Sequence, residues 1–338
     1  MHKIKIPSMI ELLSFFAENL LSPPILFFLL GTISGCLKSN LEIPEQISKY
    51  LAIYLIIAIG FKGGVAISET NNFDLKAILT ISVSIITSFI QPFIGYFFLK
   101  HTTRIDKLTA AALAAHYGSV SLVTFVTAIN FLELNSTIYS GYIISVLSLM
   151  EAPAILSGIL IAHTCKQKNA SNKNQLKPFL LKEVFTNGSI LLLLGSFFIG
   201  WVSGTQGMQK MDGFVISPFQ GLLSLFLLDM GLLITKHLAE LKEFTLKLAL
   251  FGIYMPLIGS VIGISLSMLI GLDIGTGFLF TVLISSASYI VVTAAMRISL
   301  PKAKATIYVP MTLAVTFPFN ITLGIPFYFT LAQKFLAE

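Results

Sequence analysis

The sequence predicts an all-α membrane protein with ten transmembrane helices, arranged as two inverted five-helix repeats. Of its 338 residues, 55% are hydrophobic and only 11% are charged. A soluble protein carries about 25% charged residues. Apolar stretches long enough to cross a bilayer also recur along the whole chain, and the second half repeats features of the first. A soluble globular domain is therefore excluded.

Apolar windows between charges and turn signals predict the individual spans. They lie at 23–38, 47–67, 76–99, 108–130, 139–163, 186–204, 217–236, 245–270, 276–296 and 306–334. Apolar residues at helical spacing in residues 1–22 predict an interfacial amphipathic helix. Residues 23–165 then form the first repeat, 166–184 a basic cytoplasmic linker, and 185–336 the second repeat.

The distribution of positive charge predicts the orientation of the spans. Most of the 22 lysines and arginines fall in loops on one side when the loops are assigned alternately. Because cytoplasmic loops carry the excess of positive charge, that side is the cytoplasm and both termini lie outside. The same bias explains the net charge of +6, so no nucleic-acid partner is expected. We expect a multi-pass protein of the bacterial inner membrane.

An internal repeat relates the two halves. Residues 50–76 align without a gap to residues 221–247, pairing Gly60 with Gly231 and Lys76 with Lys247. Later features follow in the same order, such as Pro153 and Pro318. Because each half has an odd number of spans, the second half enters the membrane in the opposite direction. This pattern is typical of secondary transporters.

The fourth and ninth spans are predicted to be discontinuous. Small and hydroxyl residues interrupt both, and they are Gly118, Ser119, Ser121 and Thr124 in 111–128, and Ser285, Ser286, Ser288 and Thr293 in 281–297. If the breaks face each other, the helix N-termini between them would favour a small anion. Hydroxyl and carbonyl oxygens could hold sodium beside it. The alternative is that these small residues serve only close helix packing.

Ionisable residues at membrane depth are further candidates, because burying them in a bilayer is costly. Glu151 precedes the helix-bending Pro153 in the fifth span, and His116 lies just before the first break. We expect both to support the site. Lys62 and Arg297 are predicted to cap span ends. No catalytic or nucleotide-binding motif accompanies these residues, so an ion gradient rather than ATP is the expected energy source.

Several longer motifs resemble the sodium-dependent bicarbonate permease family across nearly the whole chain. They are Ser22–Gly31 (SPPILFFLLG), Leu41–Glu45 (LEIPE), Gly60–Ile67 (GFKGGVAI), Gly118–Ser121 (GSVS), Glu151–Ala154 (EAPA), Gly221–Gly231 (GLLSLFLLDMG), Ser285–Ser288 (SSAS) and Pro326–Gln333 (PFYFTLAQ). The resemblance implies an elevator-like carrier, a homotrimer, and sodium as the coupling ion without an organic cofactor. It also implies a possible PII-type regulator at the cytoplasmic face.

The resemblance further implies a bicarbonate site at Gly118, Ser119, Ser121, Ser286 and Ser288. An aspartate follows the second serine cluster in well-known members, whereas Tyr289 stands here and could donate its hydroxyl to an anion. Sodium ligands are expected among the hydroxyls, namely Ser121, Thr124, Ser288 and Thr293.

Two other functions stay open at the level of sequence. One is a carrier of another small anion, such as a monocarboxylate, coupled to sodium or to protons through Glu151 and His116. The other is a membrane receptor that binds an anion without transporting it, although repeated helix breaks favour alternating access.

Overall fold

A computed structural model describes residues 23–69, 74–167, 188–236 and 244–337, and its regular elements are all helices. The predicted interfacial helix at 1–22 lies outside the described residues. The predicted linker at 166–184 lies outside them as well, except for the two residues that end a helix at Gln167.

The helices follow the predicted spans closely. In chain order they are α1 (Pro23–Cys36), α2 (Glu45–Ser68), α3 (Leu75–Thr102), α4 (Lys107–Gly118), α5 (Leu122–Leu134), α6 (Ile143–Gln167), α7 (Gly188–Val215), α8 (Phe219–Lys236), α9 (Leu246–Ile270), α10 (Ile274–Ser285), α11 (Val291–Ser299) and α12, which runs from Ala305 to Phe335 with two π-helical segments.

Seven stretches in the described residues are helical, long and apolar enough to cross a membrane. They are Glu45–Ser68, Leu75–Thr102, Lys107–Ile129, Ile143–Thr164, Leu191–Val215, Leu246–Ile270 and Ala305–Phe335. Three shorter apolar helices lie at Leu26–Cys36, Phe219–Leu233 and Ile274–Ser285. These lengths and compositions fit a multi-pass membrane protein.

Aspartate caps set the starts of three helices. Asp74 accepts a hydrogen bond from the Ala77 N–H at 2.8 Å, and Asp106 accepts one from Thr109 at 2.9 Å. Asp273 does the same for the Thr276 N–H at 2.9 Å. Each carboxylate satisfies an N–H that has no partner inside its helix. Both interrupted spans, α4–α5 and α10–α11, therefore begin in the same way.

Glycines bring α1, α2, α7 and α8 into a tight group. A Cβ atom on Gly64 of α2 would lie 1.9 Å from the Phe197 carbonyl oxygen of α7. One on Gly31 of α1 would lie 2.2 Å from the Leu228 carbonyl oxygen of α8. Only glycine permits such close backbone approach, as in other packed membrane helices. We call α1, α2, α7 and α8 the first helix group.

The remaining helices form a second helix group, α3–α6 with α9–α12. Within it α3 packs on α4 and α6, and α9 packs on α10 and α12. Contacts between the groups run mainly from α2 to α6 and from α8 to α12. One ion pair also joins the groups, because Arg297 of α11 lies 3.6 Å from Asp229 of α8.

The helix that forms the predicted sixth span is interrupted at Gly204, the last residue of that span, where φ is 55°, and a further helical segment runs on to Val215. The structure corrects two details of the sequence prediction. The last span is not a regular α-helix, since π-helical turns follow Pro310 and Pro318, whose rings disrupt regular α-helical hydrogen bonding. Lys62 does not cap a span end but lies inside α2, six residues before Ser68.

Candidate functional site

The first helix break separates α4 from α5. Helix α4 ends at Gly118, and Ser119 has extended backbone angles, φ −102° and ψ −175°. A Cβ on Gly118 would lie 2.3 Å from Cγ of Pro92 and 2.6 Å from the Ser88 carbonyl oxygen. The packing of α4 on α3 at Ser88 and Pro92 therefore requires glycine at this position.

Ser121 caps the start of α5. Its hydroxyl oxygen accepts hydrogen bonds from the Thr124 N–H at 3.2 Å and from the Thr124 hydroxyl at 2.8 Å. Its carbonyl accepts from the Phe125 N–H at 3.0 Å. The predicted Ser121 and Thr124 thus form one hydroxyl pair at a helix N-terminus inside the bundle.

The second break runs from Ser286 to Ile290, between α10 and α11. Ser286 is extended, with φ −94° and ψ 175°, and its hydroxyl donates to the Leu283 carbonyl at 2.9 Å. The Ser288 hydroxyl accepts from the Val292 N–H at 3.4 Å, which places it at the start of α11. In each break a serine hydroxyl therefore accepts a hydrogen bond from the first turn of the following half-helix.

Three hydrogen bonds join the two interrupted spans at their breaks. The Ser121 N–H donates to the Ser286 hydroxyl at 3.0 Å, and the Ser288 N–H donates to the His116 carbonyl at 2.8 Å. The His116 Nε2 atom lies 3.1 Å from the Thr293 hydroxyl. The structure thus brings together residues 165 to 177 positions apart in sequence.

Glu151 lies against the first break. Its Oε2 atom accepts a hydrogen bond from the Ser119 hydroxyl, and both residues are buried. His116 is also fully buried and bonds the Ala112 carbonyl through Nδ1 at 2.6 Å. The sequence could not name a partner for His116, whereas the structure shows that it bridges the breaks through Thr293.

Tyr289, which the sequence predicts as an anion-binding residue, lies in the second break. It is buried and packs edge-on against Phe317, with ring centroids 5.5 Å apart. Its hydroxyl lies near Ser121 but has no hydrogen bond of normal geometry within the described part of the chain. A buried hydroxyl without a partner is costly, so this group is available to a ligand.

Two amide side chains that sequence reasoning missed hold the end of α10. Gln91 of α3 donates to the Ile284 carbonyl at 2.9 Å, and Asn320 of α12 donates to the Ser285 carbonyl at 3.0 Å. Tyr328 in turn donates to Asn320 at 2.8 Å. The sequence did contain a signal for both, because a single amide side chain within two residues of a proline in an apolar span is rare without a role.

Replacing Gln91 should weaken the second break. We expect Gln91→Leu to lower the free energy of unfolding by about 1–3 kcal/mol, because the Ile284 carbonyl would be left buried without this donor. Thermal unfolding of the purified protein measures the change. The control is Gln209→Leu, which replaces an exposed glutamine on α7. Equal melting temperatures for the two variants would contradict the prediction.

Together the breaks form a polar centre inside an apolar helix bundle. The N-termini of α5 and α11 supply N–H groups and partial positive charge, which favour an anion. Serine and threonine hydroxyls supply hard oxygen atoms, which suit an alkali cation. Glu151 supplies one negative charge beside them. The chemistry available is therefore paired binding of a small anion and a cation.

Comparison with known proteins identifies the family. A search of curated proteins finds no match. The family model of the Na+-dependent bicarbonate transporter superfamily matches residues 23–333, which include both helix groups and both breaks. The chain therefore belongs to the Na+-dependent bicarbonate transporter superfamily.

Proposed function

We propose that this protein is a symporter that couples the entry of bicarbonate to sodium through the two facing helix breaks. The observation that carries the proposal is the direct hydrogen bonding between the breaks, with serine hydroxyls bonded to the first turns of α5 and α11 and Glu151 beside them. Family membership supports the same substrate and the same coupling ion.

The anion binds where the two half-helices begin. Its negative charge faces the N-termini of α5 and α11, which start next to Ser121 and Ser288. The other anion contacts come from the remaining polar and flexible positions of the breaks, which are Gly118, Ser119, Ser286 and Tyr289. The buried hydroxyl of Tyr289 donates to the anion, which satisfies a group that otherwise lacks a partner in the described structure.

Sodium binds next to the anion, so that the two charges offset each other. The proposed oxygen ligands are the hydroxyls of Ser121, Thr124, Ser288 and Thr293. Thr124 donates to Ser121, and Thr293 lies 3.1 Å from His116. Sodium binding therefore exchanges these internal contacts for metal coordination. Glu151 stabilises the cation from the side of Ser119.

An inverted repeat accounts for the way the helices pack. Two pairs hold the first helix group, α1 with α8 and α2 with α7. If α1 corresponds to α7 and α2 to α8, each pair is the image of the other. In the second group, α3 on α4 similarly corresponds to α9 on α10. This symmetry supports five-helix repeats of opposite orientation.

The division into two helix groups supports an elevator-like movement. Both breaks belong to the second helix group, so that group can carry the bound ions while the first group stays in place. The Arg297–Asp229 ion pair spans the two groups and would have to break during the movement.

We further propose that the protein forms a homotrimer in the inner membrane with both termini outside. We also propose that a PII-type regulator binds its cytoplasmic face.

A second candidate function uses protons and a larger anion such as a monocarboxylate. The observation that favours it is the presence of two buried ionisable side chains near the first break, Glu151 bonded to Ser119 and His116 bonded to Thr293. Either group could carry a proton during transport.

Uptake of labelled bicarbonate into proteoliposomes tests the proposal. With an inward sodium gradient we expect accumulation above the equilibrium level, and with potassium replacing sodium we expect none. Labelled acetate under a sodium gradient and under a proton gradient tests the second candidate. Absence of bicarbonate accumulation by folded, correctly inserted protein would contradict the first proposal.

A further inference from the structure

A cavity of about 550 Å³ lies between the two helix groups, outside the hydrogen-bonded centre of the breaks. Helices α1, α2 and α8 of the first group line one side, and α5 and α6 of the second group line the other. Most of its walls are apolar, including Ile59, Val126, Leu147 and Leu223. The site proposed for bicarbonate does not use this cavity.

Lys62 is the charged group among the described residues that line this cavity. Its Nζ atom lies 3.9 Å from the centre of the Phe219 ring. It forms no salt bridge and no hydrogen bond within the described ranges. An ammonium group inside a membrane helix is costly unless it finds compensation, and a ring face provides only part of it. The cavity therefore offers an anion a positive charge that lacks a carboxylate partner in this part of the chain.

The apolar walls of the cavity favour an anion with an apolar body over a small hydrated anion. Bicarbonate has four non-hydrogen atoms, and a water molecule occupies about 30 Å³ in the liquid, so bicarbonate would fill only a small part of the cavity. It would also lose its hydration against apolar walls. An anion with an apolar body places its charge at Lys62 and its body against Val126 and Leu147. Ligand sites that are mostly apolar with one oriented polar group fit this description.

We propose that the Lys62 cavity binds amphipathic monocarboxylates, and that a bound monocarboxylate inhibits transport by holding the two helix groups together. The inhibition rests on the proposed function, because it requires that the two helix groups move relative to each other. The binding of the monocarboxylate does not depend on the proposed function. A ligand in the cavity touches α2 and α8 on one side and α5 and α6 on the other, so movement of either group removes half of its contacts.

Calorimetric titration of the full chain in lipid nanodiscs tests the binding, with empty nanodiscs as the blank. The probes are hexanoate and its neutral analogue hexanamide. We expect hexanoate to bind the wild-type protein and Lys62→Met to weaken this binding about tenfold or more, which corresponds to about 1.4 kcal/mol. Lys210→Met, at an exposed lysine on α7, is the matched control and should bind hexanoate as the wild type does.

A second variant tests the position of the ligand. Val126→Trp fills the cavity from α5 while Lys62 stays in place, so it should abolish hexanoate binding. Equal affinity of wild type and Lys62→Met for hexanoate, or equal affinity of hexanoate and hexanamide, would overturn the proposal. The latter result would identify an apolar groove for lipid chains instead.

Bicarbonate uptake with added hexanoate tests the inhibition. We expect hexanoate to slow uptake by the wild type and to have about tenfold lower potency on Lys62→Met. Accumulation of labelled hexanoate would overturn the inhibitory role and make the cavity part of a transport route. If the protein does not take up bicarbonate, the titrations still show whether hexanoate binds in the Lys62 cavity. Failure of the proposed function and failure of the proposed binding site are therefore distinguishable.

Discussion

Gly118→Leu should abolish bicarbonate uptake. A Cβ at this position would already lie 2.3 Å and 2.5 Å from two ring carbons of Pro92, and leucine adds three further carbons. The end of α4 would have to move away from α3, which costs about 1–3 kcal/mol or more in a packed interior. Because the first break begins at Gly118, this movement would separate Ser121 from Ser286. We expect a fall in initial uptake rate of about a hundredfold or more, since each 1.4 kcal/mol is tenfold.

The control for this variant is Gly195→Leu. Gly195 lies in α7, and a Cβ there would meet no atom within 4 Å among the described residues. Both variants are compared by gel filtration and thermal unfolding before reconstitution, which separates loss of the site from loss of the fold. A folded Gly118→Leu protein that transports at the wild-type rate would contradict the role of the first break.

Glu151→Gln should raise the sodium concentration needed for half-maximal uptake by about tenfold or more, an effect of about 1.4 kcal/mol. Glutamine can still accept a hydrogen bond from Ser119 through its carbonyl oxygen, so the change mainly removes a buried negative charge. In a low-dielectric interior, a charge near a cation contributes far more than it does in water. Uptake measured against sodium concentration at constant bicarbonate tests the prediction.

The Ser119→Ala variant and the double variant Ser119→Ala, Glu151→Gln show whether Ser119 and Glu151 act together. Because Ser119 donates to Glu151, we expect the loss in the double variant to differ from the sum of the two single losses. Glu45→Gln is the control, since Glu45 pairs with Lys49 at the surface, where the side chains are 69% and 62% exposed. Exposed pairs contribute little, so uptake should stay near wild type. An unchanged sodium dependence in Glu151→Gln, with uptake now insensitive to pH, would favour proton coupling.

Hydropathy in the sequence was enough to predict the helices. The span predicted at 245–270 is the helix Leu246–Ile270 in the structure, and the span predicted at 217–236 is the helix Phe219–Lys236. A helix in lipid must satisfy its own backbone hydrogen bonds, so apolar length translates directly into a span. The same rule predicted both breaks, because Gly118 and the serine clusters stand out in otherwise apolar stretches.

The side-chain partners could not be predicted in this way. Gln91 and Asn320 hold the end of α10 from helices that are distant in sequence, and nothing near them indicates which carbonyl they reach. The helical segment that follows the kink at Gly204 was also missed, because a glycine with positive φ can either end a chain's helical run or turn it into another helix.

The sequence by itself determined an all-helical membrane protein, the places where its helices break, and its membership of the superfamily. These properties depend on local composition and on the order of motifs along the chain. Only the tertiary structure decided that Ser121 meets Ser286, that His116 meets Thr293, and that Lys62 lines a cavity between the two helix groups. Such contacts depend on how whole helices pack, and helices in lipid are held by close-fitting surfaces and hydrogen bonds that no single segment encodes.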